Sequence, residues 1–434
     1  MKFRWETEFK EMDIGEIPKE WEVTNFGNRN YFEILSSGIE RFEGLKEYLS
    51  TSSVNGNKIV EIEELITYDK RPSRADMQPV ENSVWLARMI NSPKFLKADK
   101  DLIKNKILST GFLGVKTKTK ETCDYLFYYI QTKEFQEYKD GYVTGAVQES
   151  LTNESAKELI VLLPPLPEQS RIATVLSCFD DLIENKERQN EILEKTAMAI
   201  FKSWFIDFEP FRDGEFVYNE ELGKEIPKGW EVKRLGELVK TFKGISYKSS
   251  EKYQEYIEEG YIFITLDNFV RGGGFKNEYS WIKSERIKPS HLVKEGDLII
   301  ALTDMTQNAQ VVGSPAIVIL PNGFDVGVIS LDCMKLEPVV ENLKYYLYMF
   351  LKNTQEDNST FANGVNVLHL MVNNFLNGKI LFLPSSHILQ SFHSLVEPLF
   401  QKIILNQKQI MTLKKVRDTF LPLLVFGKLR VEEI

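Results

Sequence analysis

The stretch from Leu166 to Phe208 permits few folds. Its apolar residues recur in alternating steps of four and three: Ile172, Leu176, Phe179 and Ile183, then Leu193, Ala197, Ile200 and Trp204, with Lys186 and Asn190 as polar breaks. That spacing is the seam of a coiled coil. Adding 220 to each number gives Phe392, Val396, Leu399, Ile403, Asn406, Ile410, Leu413, Arg417, Phe420 and Leu424, again apolar apart from Asn406 and Arg417. A helix with one apolar stripe is not stable alone, and this chain carries a second, matching stripe. An antiparallel pair within the chain is the favoured partnership. The polar breaks weaken such a pair but can set its register. Glu168 to Phe205, if one continuous helix, spans roughly 57 Å. Pro164, Pro165 and Pro167 place its start. Pro398 should kink the second helix or mark its true beginning, and Pro422 should loosen its last turn.

The duplication extends beyond the helices. Ile17-Pro18-Lys19-Glu20-Trp21-Glu22-Val23 returns as Ile226-Pro227-Lys228-Gly229-Trp230-Glu231-Val232. Tyr125 and Tyr128 match Tyr345 and Tyr348, and a Gly-led segment beginning at Gly145 matches one beginning at Gly364. The chain is therefore read as built twice. The expected division is a first domain over 1–165, a long helix over 166–208, an acidic linker over 209–225, a second domain over 226–384, a second helix over 385–426 and a tail over 427–434. Each block reads as mixed α/β. Ser83 to Ile90 is apolar, with Trp85 and Met89; Leu108 to Lys116 suggests strand and turn, and Asp297 to Thr303 and Val311 to Leu320 have strand character. Gly313 and Pro315 place the last at an edge or bulge. The aromatic stretches Asp124–Gln136 and Asn342–Lys352 have helical spacing, and Ser249–Gly260 resembles a helix ending in glycine.

Composition narrows the function. No apolar run approaches the length of a membrane span, and the first residues lack a signal-peptide core. Cys123, Cys178 and Cys333 are scattered, which fits reduced thiols in a cytoplasmic protein and no metal site. Phosphate-loop, dinucleotide, zinc-protease and nucleophile-elbow signatures are all missing, and no catalytic residues are assigned. The net charge of -9 argues mildly against nucleic acid, but the distribution is uneven. Ile66–Lys120 carries 12 Lys and Arg against 5 Asp and Glu, and Lys233–Lys294 carries 12 against 8. Within these stretches Arg71, Arg74, Arg88, Lys116 and Lys118 in the first block, and Lys248, Arg271 and Lys276 in the second, are candidate phosphate or base contacts. Thr306, Gln307, Asn308 and Gln310 join them, because amide side chains read adenine bidentately. Lys116–Lys120 also fits an edge strand guarded by lysines.

The segment Leu163–Phe211, with the paired Trp-Glu-Val starts, the Glu295-Gly296-Asp297-Leu298-Ile299-Ile300 stretch and Gly364-Val365-Asn366, resembles the specificity subunits of type I restriction-modification enzymes over essentially the whole chain. Ser385–Gln390 departs from the Pro-Leu-x-Glu-Gln expected before the second helix. The resemblance implies an α+β protein with two target recognition domains in pseudo-twofold arrangement, held apart by two antiparallel helices. It implies a non-catalytic subunit in which each domain reads half of a bipartite double-stranded DNA site. Two modification subunits, which bind S-adenosylmethionine and methylate adenine, would dock on it, and restriction subunits would supply ATP- and Mg-dependent cleavage. No cofactor is expected on this chain. A duplicated coiled-coil scaffold and a catalytic nuclease or methyltransferase are the alternatives.

Overall fold

The computed structural model describes residues 2–12, 15–143, 150–305 and 309–433. The chain divides into two units: Met1–Leu182 with Leu413–Ile434, and Ile183–Thr412. Each therefore takes one half of each long helix. The helices run Leu166–Phe205 and Ser386–Val425, 40 residues apiece. The second passes through Pro398 and reaches Val425 beyond Pro422, so neither proline bounds it.

In the first unit the strand Ser83–Ala87 pairs with Phe95–Lys97 on one side and Phe112–Thr117 on the other, and Phe32–Ile34 completes that sheet. All five residues of Ser83–Ala87 are buried. Val84 and Leu86 face one cluster, with Leu126 of the helix Lys120–Tyr129, while Trp85 faces another with Leu49 and Phe112. Alternate residues of a strand point to opposite faces, so a strand covered on both sides must be apolar throughout. Phe112–Thr117 lies between two partners, so Lys116 belongs to an interior strand and not to a guarded edge. Thr119 ends the lysine alternation by capping Lys120–Tyr129, its hydroxyl accepting from the Thr122 N–H.

The second unit repeats this logic. Leu298–Ala301 is buried on both faces, with Leu298 and Ile300 in one cluster and Ile299 and Ala301 in another. Its neighbour Pro315–Ile317 is the sheet's edge, one of the two placements that Gly313 and Pro315 predict, though shorter than the apolar run. Ser249–Gly260 is not a helix. It forms a short 3-10 turn, Ser249–Glu251, and a bridge strand, Lys252–Tyr253, paired with Ser280–Ile282. Its polar run has no apolar stripe to bury as a helix. The stretch read as an acidic linker holds the strand Phe216–Asn219, paired with Lys224–Pro227.

The repeated starts occupy matching places. Glu22–Asn25 pairs antiparallel with Ile160–Leu163, and Glu231–Arg234 with Ile380–Leu383. In the first unit Ile172, Val175 and Leu176 of the first helix share a core with Leu424 and Val425 of the second. In the second unit Ala197, Phe201 and Phe205 share one with Phe392, Val396, Phe400 and Ile404. Within each unit the helix halves thus run antiparallel. Each large side chain so buried contributes about 1.5–3 kcal/mol.

Of the seam residues, Ile172, Leu176, Ile183, Val396 and Ile410 are buried, and Phe179, Leu193, Ile200, Leu399, Ile403, Leu413 and Phe420 are half-buried. Phe201, Phe205 and Phe400 fall outside the seam list yet are buried. They face the aromatic helix Lys344–Asn353 as well as the partner helix: Phe205 meets Tyr346 at 4.8 Å and Phe400 stacks on Tyr345 at 4.5 Å. The buried stripe is wider than a two-helix seam because each helix half also covers a domain.

The departure at Ser385–Gln390 is a change of packing chemistry. Glu168 is 3% exposed, accepts from the Trp21 indole at 3.2 Å and from Arg430 at 2.6 Å, and Arg430 also pairs with Glu6. The second copy has Ile388 where the first has Glu168 and Pro210 where the end of the chain has Arg430. There Trp230 packs instead on Phe205, Phe208 and Phe211. A buried ion cluster and an aromatic one fill equivalent places.

Candidate nucleic-acid interface

In the second unit the doubly buried strand leads through Thr303 and Asp304 into the amide-rich loop. Thr306, Gln307 and Asn308 lie outside the described residues. Gln310 is exposed, and its carbonyl accepts the Gly272 N–H at 3.0 Å. The glycine turn after Val270 closes on itself, Val270 N–H to Gly274 carbonyl at 3.0 Å, and ties to Pro315 through Gly274 at 2.9 Å. Two expected sites, Arg271 and Gln310, are thereby brought together, with exposed Lys276 just beyond the turn. Lys248 sits elsewhere, at the head of the Ser249–Glu251 turn. Glu251 holds that turn, accepting from Ser284 at 2.6 Å and from the Lys248 N–H at 2.6 Å and pairing with Arg286. These contacts, the Ser284 bond first, lower its carboxyl pKa to about 2.

In the first unit the candidates separate into two places. Arg74 is exposed at the Thr110–Gly111 turn, where its carbonyl accepts the Thr110 N–H at 2.9 Å. Arg71 is partly spent: it lies 4.6 Å from the Tyr68 ring and donates to the Tyr68 carbonyl at 2.6 Å and to Asp76 at 3.3 Å. Lys116 and Lys118 are exposed at the opposite end of Phe112–Thr117, roughly 17–20 Å away at strand rise. There Lys118 lines a cleft of about 460 Å³ with Arg29 and Lys157.

Arg88 is half-buried and bonded to the fold. Its guanidinium donates to the carbonyls of Phe112 at 3.1 Å and Leu151 at 2.8 Å and to the Asn153 side chain at 2.7 Å. Burial lowers its pKa. Three of its five N–H donors are thus spent on the fold, tying Leu151 and Asn153 to the sheet. A wider cleft of about 1040 Å³ beside the first long helix contains Lys97 and Lys120, but both are paired with Asp124, at 2.8 and 2.9 Å. Cys123 and Cys333 are buried, which pushes both thiols up to about 12, while Cys178 is half-buried.

Sequence reasoning missed the side chains that hold these loops from beneath: Lys139 and Asp140 in the first unit, Gln355 and Asn358 in the second. Nothing in their spacing distinguishes them from surface residues of short helices. Burial marks Lys139 and Asn358, both 0% exposed, and hydrogen bonds to the loop backbone mark the half-buried Asp140 and Gln355.

Two doubly wrapped strands and two long helices matched at a fixed interval make this a duplicated architecture. The chain matches the type I restriction modification DNA specificity domain twice, over residues 18–195 and 227–415, and it belongs to that family. It is a DNA-recognition chain and not a catalytic one. It is 38% identical to the type I restriction enzyme MjaIX specificity subunit of Methanocaldococcus jannaschii, across 100% of this chain and 99% of that one. It is 26% identical to the MjaVIII specificity subunit of the same organism, with the same coverage. The crystal structure of the S subunit of a type I restriction-modification system from M. genitalium shares the fold with a TM-score of 0.53, 16% identity and coverage of 95% and 97%.

Proposed function

We propose that this chain specifies the target of a type I restriction-modification enzyme by reading a bipartite DNA sequence, one half with each unit. The observation that carries this reading is the duplication of one loop-bearing architecture, each copy with its own core. Two readers on one chain recognise two half-sites at a set separation, as dimeric DNA binders do. In the second unit Arg271, Lys276 and Gln310 form the contact edge. In the first, Arg74 and the backbone after Ala87 form the corresponding edge. Lys116 and Lys118 supply a separate phosphate contact, and Lys248 another in the second unit. The long helices set the half-site gap and dock two modification subunits, which carry S-adenosylmethionine and methylate adenine. Restriction subunits then join with ATP and Mg. The complex works in the cytoplasm. The net charge of -9 suits a subunit that specifies while its partners supply much of the phosphate grip.

Methylome sequencing of cells expressing the chain with its modification subunits tests the reading. The expected result is one methylated bipartite motif. A soluble complex without such a motif rejects it.

A further inference from the structure

In the second unit three polar side chains reach under the segment that follows Asp304. The Asp304 carboxylate, 2% exposed, accepts the N–H groups of Val311 at 2.7 Å and Val312 at 3.3 Å. The Gln355 amide donates toward the carbonyls of Ala309 at 3.2 Å, Val312 at 3.3 Å and Gln310 at 3.4 Å. Asn358 donates to the carbonyls of Gly313 at 3.0 Å and Leu351 at 2.8 Å. Gly313 has φ +75°, and a Cβ there would stand 2.8 Å from the Asn358 Cβ, so the stem fits this amide only as glycine. The Gln310 carbonyl meanwhile holds the Arg271 turn through Gly272. Residues 309–313 and the glycine turn are thus pinned to the short helix Gln355–Ser359.

The first unit pins the equivalent backbone with different residues. Lys139, on the short helix Lys133–Asp140, reaches the carbonyls of Met89 at 3.2 Å and Ala87 at 3.4 Å, and Asp140 accepts the Asn91 N–H at 3.0 Å. In both units the target is main chain between the doubly buried strand and its edge neighbour, just after the strand in the first unit and just before the edge strand in the second. Burying polar or charged groups is costly, and apolar residues would fill the same volume more cheaply. What polar groups add is one enforced backbone shape. A loop ordered in advance loses less conformational freedom when it meets its ligand.

We propose that Gln355, with Asn358 and Asp304, is a positioning residue that presets Gln310 and the Arg271 turn for reading DNA, and that Lys139 and Asp140 serve the same purpose in the first unit. This rests on the reading of these edges as DNA contacts.

The test uses the full chain with its modification subunits, in wild-type, Gln355→Glu and Gln355→Lys forms, methylating a library of randomised sites. Glutamate has the shape of glutamine but turns an oxygen toward three carbonyl oxygens, whereas lysine keeps a donor. The glutamate variant is expected to relax discrimination about tenfold at one or more positions of one half-site, the size of a typical base mismatch. The other half-site and the yield of complex stay unchanged, and the lysine variant retains the wild-type motif. A glutamate variant with the wild-type motif, equal loss in both variants, or loss at both half-sites overturns the inference. Absence of any bipartite motif with the wild-type chain instead rejects the function on which it rests.

Discussion

Lys186 Nζ donates to Asn406 Oδ1 at 3.3 Å, and the two residues stand 220 positions apart. The same interval separates Leu166 from Ser386 and Phe205 from Val425, the ends of the two helices. Equivalent residues of antiparallel helices meet only at the shared midpoint, so this contact marks it. Around it Asn406, 0% exposed, donates to Asn190 at 2.9 Å and Gln189 at 3.3 Å. Three of the four polar breaks, Lys186, Asn190 and Asn406, thus meet one another and not aliphatic residues, and a shifted register would separate them.

Replacing one member of this node should therefore cost more than replacing two. Asn406→Leu strands Asn190 and is expected to lose about 1–3 kcal/mol, the cost of an unsatisfied buried polar group. Asn190→Leu with Asn406→Leu should recover most of that loss. Urea midpoints of the two variants make the comparison. A double variant as weak as the single one would contradict it.

A second ionic contact has an apolar twin. In the first unit Asp180 pairs with Arg417 at 2.7 Å and accepts from the Tyr128 hydroxyl at 2.8 Å. Burial works against the Arg417 charge, but its bonds to Asp180 and Asp418 prevail and its pKa is raised. The positions 220 away are Phe400 and Ala197, 3% and 0% exposed in the core of the second unit. Asp180→Ala should destabilise by about 1–2 kcal/mol, because it leaves the Tyr128 hydroxyl without its acceptor and the partly buried guanidinium with Asp418 alone. Asp180→Phe with Arg417→Ala copies the other unit's solution and should restore most of that stability in thermal melts.

Acid should release the Lys248 turn. Glu251 has a folded pKa of about 2 against an ordinary 4.5. A depressed carboxyl contributes stability above its unfolded pKa and loses it as pH falls through the folded value. The contribution of Glu251 is therefore full near neutrality and fades between about pH 4.5 and 2. Glu251→Gln should be less stable than wild type at pH 7, with the gap narrowing across that window. A constant gap in denaturant midpoints would show that the charge is not involved.

If the helices set the half-site gap, they must be shortened together. Removing residues 184–190 and 404–410 takes one heptad from each partner and the whole polar node with it. Seven residues of helix are about 10 Å, or about three base pairs. The methylated motif is expected to keep both half-sites and to lose about three base pairs of spacer. An unchanged spacer would refute the ruler.

Much of this was legible in the residues themselves. The seam, its echo and the paired Trp-Glu-Val starts follow from spacing, because helical periodicity and an internal repeat are one-dimensional signals. The strand character of Leu298–Ala301 was legible for a similar reason, since a strand buried on both faces is a short unbroken apolar run, whereas Ser83–Ala87 showed only its apolarity. The candidate contacts were less so. Arg88 has the composition of a contact residue, yet three acceptors fold around its guanidinium. Arg74 and Lys118 share a basic stretch but stand at opposite ends of one strand.

The sequence by itself determined that the chain is duplicated, that its long helices must be partnered, and which positions in them are apolar. Those properties depend on the order of residues along the chain. Tertiary structure alone decided which polar groups are spent internally and which remain for a ligand. Lys139 and Lys118 are the same residue type on neighbouring elements, but one is enclosed beneath a loop and the other faces solvent. Enclosure depends on what distant segments bring over a side chain, and neither periodicity nor composition records that.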